Sequence, residues 1–137
     1  MPFVDKGTSR KILEGMLPMK IKLAGAVVAG DPIAYNAGWK KAGNVAGKPA
    51  LIIAGEDGAI ADVITAYGMA IVECAHTAAN KPTMGEQISV GDTGIYEPAA
   101  ATQQDIGYVV GIDADESHSQ ILVCGMIVEL DCVGTLA

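Results

Sequence analysis

Apolar residues run through most of this chain in short stretches. Between them fall Gly, Asp, Asn and Pro, the residues that break strands and form turns. From Ala24 onward the pattern is β-like. "GAVVAGDPIAYN" reads as a short strand, a Gly-Asp turn and a second strand. "KPALIIAGE" is an apolar run of strand length bounded by Pro49 and Gly55. "AIADVITAYGMAIV" has the alanine content of a helix, but its Val, Ile and Thr favour a strand. We read it as two strands, "DVITAYG" and "MAIVECA", joined at Gly68, with Asp57-Gly58 as a hairpin turn before them. "HTAANKPTMG" is a loop, and "EQISVGDTGIYEP" repeats the strand, Gly-Asp turn, strand pattern. After the polar connector "AAATQQ" come the strand "IGYVVGIDA", the turn "DESHS" and one or two closing strands in "QILVCGMIVELDCV". Six or more short strands at roughly even spacing predict a mainly β domain over residues 24–137, a small β-sandwich or β-barrel.

Residues 1–23 differ from the rest. They hold five of the nine basic residues: Lys6, Arg10, Lys11, Lys20 and Lys22. "SRKILEGML" has the spacing for one or two helical turns, with Ser9 as cap and Ile12, Leu13, Met16 and Leu17 on one side. Gly15 and Pro18 would keep such a helix short. We expect an extended N-terminal arm here. It is either a frayed terminus or a segment that docks on a partner through Phe3, Arg10, Lys11, Ile12 and Leu13.

Composition narrows the classes. Half of the 137 residues are hydrophobic and aromatics make up 4%, so the core is expected to be built of Ala, Val and Ile. A net charge of −7 argues against a nucleic-acid binder, whose phosphate contacts need clustered Lys and Arg. The apolar runs are too short for a membrane-spanning helix. The N-terminus lacks the apolar stretch of a secretion signal, which predicts synthesis and retention in a cytoplasm. Cys74, Cys124 and Cys132 are widely spaced, without a Cys-x-x-Cys pair, and read as buried free thiols.

Candidate chemistry is sparse. His76 and His118 have no metal-ligand spacing around them. "IDADESH" gathers Asp113, Asp115 and Glu116 but does not complete a calcium loop, and reads as a solvated acidic turn. "AGEDGAIADV" lacks the Lys-Ser/Thr of a phosphate loop. No serine falls in a recognisable nucleophile arrangement. No cofactor and no metal site are expected. Trp39, the one tryptophan, sits with Lys40 and Lys41 in the Gly-flanked segment "NAGWKKAGN". Either it caps the core, or the three residues contact a neighbouring subunit or another protein.

One phrase is written twice: Gly30-Asp31 with Tyr35, and Gly91-Asp92 with Tyr96. Aligning the glycines sets Val27 on Ile88. A turn in which Gly takes positive φ and Asp accepts a backbone N–H explains the phrase without chemistry. These residues also carry a resemblance. "GDTGIYEPAAATQQDIGYVVGIDADESHSQILVCGMIVEL" resembles the closing part of phage capsid cement, or head decoration, proteins. The matching positions are Gly91, Asp92, Tyr96, Ile106, Gly107, Asp113, Ala114 and the run from Ile121 to Leu130. "VVAGDPIAYN" is similar to the family's earlier Gly-Asp-Pro-Val segment, while "GWKKAGNVAGKP" has no counterpart in it. The resemblance spans residues 24–132. It implies a β-rich, often trimeric protein on the surface of a virion, bound to the major capsid protein, with no catalysis. The alternative from another class is a small oligomeric β-barrel enzyme with a site between subunits, built from Asp31, Asp92, Tyr35 and Tyr96. An enzyme should turn these groups into a deep polar cleft, whereas a cement protein should bury or cap them.

Overall fold

The computed structural model describes residues 5, 10–43, 48–91, 93–100 and 103–126. The expectations for Phe3, Asp92, Cys132 and a strand beyond Met126 lie outside them. Among the described residues one curled antiparallel sheet forms a half-barrel, so the chain is mainly β as its patterning predicts. Its strands are β1 (Lys11–Lys22), β2 (Pro32–Tyr35), β3 (Trp39–Lys41), β4 (Ile52–Ala54), β5 (Val63–Ala75), β6 (Gln87–Val90), β7 (Tyr96–Pro98), β8 (Asp105–Ile112) and β9 (His118–Cys124). The order across the sheet is β3-β2-β4-β5-β9-β8-β6-β7, with β1 paired to β5.

β5 is the spine. Its even-numbered residues, from Ile64 to Cys74, are buried, and its odd-numbered residues are partly or fully exposed. This is the period of two that a half-buried strand imposes. Sequence reading splits this segment at Gly68, but the strand runs straight through it. Gly68 instead marks where β5 changes partners. Ile53 and Ala54 of β4 pair with Tyr67 and Ala66, and β9 takes over from Met69 to Ala75. The Gly125 N–H donates to the Gly68 carbonyl at 2.8 Å, and the Met126 N–H to that of Ala50 at 2.9 Å. The two partner strands thus abut end to end along β5.

The other edge of β5 is covered by β1 from Glu73 to Val63. The expected helical turns do not form from Lys11 to Leu17, because this segment is paired as a strand with β5. The pairing shifts by one residue between Ile12 and Glu14, which leaves Leu13 bulged and 46% exposed. Pro18 is tolerated because β1 lies at a sheet edge.

Two core clusters result. One is lined by Ile53, Val72, Ile88, Tyr96, Val109, Ile121 and Val123, the other by Ile21, Leu23, Ile33, Ile52 and Ile64. Apart from Tyr96, the largest fully buried side chains are all Ile and Val, as the low aromatic content predicts. A parallel bridge from Leu23 to Trp39 brings the β3 edge back to the end of β1, so the sheet curls around the second cluster.

Candidate functional site

Two features stand out, one internal and one at the surface. The internal one begins at Arg10, just ahead of β1. Its Nε and Nη2 donate to Asp5 Oδ2 at 3.0 and 2.5 Å, Nη1 donates to Asp31 Oδ1, and Nη2 also reaches the Gly94 carbonyl at 3.2 Å. The guanidinium carbon lies 5.0 Å from the centre of the Tyr96 ring. Tyr96 donates its phenol to the Gly30 carbonyl at 2.5 Å, and its N–H to Asp5 Oδ2 at 3.2 Å. Asp31 Oδ2 accepts the Val28 N–H at 3.0 Å, and Lys41 Nζ stands 3.7 Å from Oδ1. Two carboxylates thus face the enclosed Arg10 guanidinium, with the part-exposed Lys41 at the margin.

The electrostatics follow from that enclosure. Burial opposes the charge on Arg10, but Tyr96, Asp5 and Asp31 outweigh it and hold the guanidinium protonated beyond its usual range. Burial pushes the Asp31 carboxyl up, and the Val28 N–H, Arg10 and Lys41 offset only part of the rise. Burial likewise raises the phenol of Tyr96 and the thiol of Cys74 well above their ordinary values, so neither ionises at neutral pH. Cys74 is a buried thiol, as expected.

The first copy of the repeated phrase turns as expected, with Asp31 accepting the Val28 N–H; in the second the positive φ falls on Gly94 and not on Gly91. Gly30 takes φ +87°, and a Cβ there would come within 2.9 Å of Val72 and 3.0 Å of Arg10. The corner at Gly30-Asp31 and the segment from Gly94 to Tyr96 meet each other across Arg10. Their tyrosines do different work: Tyr96 opens β7 and is fully buried, whereas Tyr35 closes β2 and is 55% exposed. The two copies are therefore not equivalent structural units. Asp31 and Tyr96 both turn to Arg10 and the backbone, and both are buried.

The surface feature is an open groove of about 530 Å³ at the seam between the end of β1 and the β2–β3 hairpin. Lys20, Lys22, Tyr35, Trp39 and Ile60 line it. Trp39 packs edge-on against Tyr35, with ring centres 5.2 Å apart and planes at 83°. Trp39 is thus half-buried and also presents a face to the groove. Of the other residues expected at an interaction surface, Lys11 and Leu13 are exposed, and Ile12 packs against the first core cluster. Lys40 is half-buried, and Lys41 leans on Asp31. Arg10 is the correction: its side chain is wholly enclosed and serves the interior. Sequence reading could not find this, since Arg10 and Asp31 meet only when β1 pairs with one edge of β5 and β4, carrying β2, pairs with the other.

Two further polar groups resemble catalytic arrangements. His76 lies beneath the sheet, with Nε2 2.6 Å from Ser119 Oγ and Nδ1 2.9 Å from the Thr77 carbonyl. Ser119 is completely buried, so no substrate reaches its hydroxyl. At the β8–β9 turn, Ser117 Oγ and Asp113 both approach the same His118 nitrogen, at 2.8 and 3.9 Å, which rules out a relay from acid through imidazole to hydroxyl. Among the described residues no group of His, Cys, Asp and Glu is arranged to hold a metal ion. No helix of the described residues is long and apolar enough to cross a membrane.

No family model and no curated protein sequence matches the chain. In fold it is similar to a structural protein of a phage head. That neighbour is the N base of head fiber gp8.5 from bacteriophage phi29, with 17% identity and a TM-score of 0.52 over 79% of this chain and 93% of that one. At this identity the likeness is one of fold.

Proposed function

We propose that this chain is a structural protein of a phage head, a decoration or cement protein that acts by binding alone. The observation that carries this reading is the fold likeness to a head-fiber base over nearly the whole of that neighbour. The geometry supports it. Of the four residues named for an enzyme, Asp31 and Tyr96 spend their polar atoms on Arg10, Val28 and Gly30, Tyr35 is exposed beside the groove, and Asp92 lies outside the described residues. Cement function needs area and complementarity in place of reactive groups. The partner in this reading is the major capsid protein, the site of action is the capsid surface, and a homotrimer is the favoured assembly. The exposed Lys11, Leu13 and Leu17 on β1 are the residues we assign to the capsid contact.

Mixing the full chain with purified capsids that lack decoration, then pelleting, tests this. Saturable co-pelleting is expected, and a Leu13→Asp variant of unchanged fold should pellet several-fold less. A folded wild-type chain that stays in the supernatant at every ratio contradicts the proposal.

A further inference from the structure

The groove at the seam carries charge without a partner. Lys20 donates to Thr65 Oγ1 at 2.7 Å, and neither Lys20 nor Lys22 meets a carboxylate among the described residues. The carboxylates of the neighbouring β4–β5 turn brace nearby backbone and form no ion pair with either lysine among the described residues. Glu56 accepts the Thr65 N–H, Asp57 that of Ala29 and Asp62 that of Ala59. Two lysines therefore flank an exposed aromatic and apolar surface of Tyr35, Trp39 and Ile60, in a chain whose net charge is −7.

The complement lies at the other end of β5. The β8–β9 turn carries Asp113, Asp115 and Glu116 and ends where His118 pairs with Ala75, the last residue of β5; Glu116 pairs with Lys81 and Asp113 accepts from Gln120, so Asp115 is the carboxylate this turn presents. Asp115 is held in place by the N–H and hydroxyl of Ser117, which lower its pKa, and it stands fully in solvent. Lys22 pairs with Val63, the first residue of β5. At about 3.3 Å per residue, the length of β5 sets the two patches roughly 40 Å apart. They cannot meet within one chain.

We infer that the groove is the docking site for a second copy of this chain, which presents its acidic β8–β9 turn to Lys20 and Lys22 beside Trp39. The contact is head-to-tail, so each copy uses its groove on one neighbour and its turn on the other. Repeated, such a contact closes a ring or extends a row. One turn in one groove is a small interface, at the weak end of specific association. Exposed charges make it sensitive to salt. The inference does not depend on the head reading, since it concerns this chain alone.

Sedimentation velocity of the full chain over a concentration series tests it, with the fluorescence of Trp39, the one tryptophan, as a local reporter. Self-association is expected at low salt, with a change in Trp39 emission over the same range. Lys22→Glu and Asp115→Lys should each weaken association about tenfold, the effect of setting like charges against each other. The double variant restores opposite charges across the contact and should associate again. Circular dichroism confirms that each variant folds. A wild-type chain that stays monomeric, single variants that associate like the wild type, or a folded double variant that fails to recover would overturn the inference.

Discussion

Arg10 is a buried junction between segments far apart in sequence. It joins Asp5, the Gly30-Asp31 corner and the Gly94–Tyr96 segment. Removing one partner of a buried ion pair leaves the other charge without compensation. Arg10→Met should therefore cost about 3–5 kcal/mol of stability in denaturant unfolding. Arg10→Lys should recover only part, because an ammonium cannot reach Asp5, Asp31 and the Gly94 carbonyl at once. Asp31 sets a second expectation. Its carboxyl is raised in the folded chain relative to the unfolded one, so on acidification the folded state takes up this proton first. Through the window from the raised folded value down to the ordinary carboxylate range, its contribution must favour folding as pH falls. The melting temperature of the wild type minus that of Asp31→Asn should rise across that window, and a fall would show the sign to be wrong. Sequence marked Asp31 and Tyr96 as special, since Gly-Asp turns are recognisable. It gave no hint of Arg10 between them, because a basic residue in a polar segment looks solvated until its neighbours are known.

At the scale of elements, β5 and β1 decide the architecture. The strand character of β5 was legible in its Val, Ile and Thr content and in its alternation. Its continuity was not, because Gly68 looks like a break when the change of partner strand cannot be seen. β1 was the harder case. Gly15, Leu17 at φ +57° and Pro18 would each disturb a central strand, but β1 is at an edge. There such irregularities also discourage pairing with stray chains. The 1–23 segment therefore cannot be treated as a detachable tail. A chain lacking residues 1–22 should expose the edge of β5, leave Asp31 without Arg10 and precipitate or unfold on expression. If it stays soluble with an unchanged melting temperature, β1 contributes nothing to the fold and the account of Arg10 fails with it.

For the molecule as a whole, the scarcity of recognisable chemistry and the small-residue core were visible from composition, and both suit a protein that works as a surface. What remained hidden was the groove at Trp39. The segment "NAGWKK" signalled a contact, but Lys20, Lys22 and Ile60 join it only when the sheet curls. A half-barrel with buried acidic groups, an exposed β1 edge and a fold likeness to a head-fiber base support the central proposal, that the chain binds a phage head. The most direct test is cryo-electron microscopy of undecorated heads incubated with the full chain. The account predicts added density on the outer face at symmetry-related positions, into which the half-barrel fits with β1 against the shell. Heads reconstructed without added density, from a mixture in which the chain is folded and in excess, would contradict it.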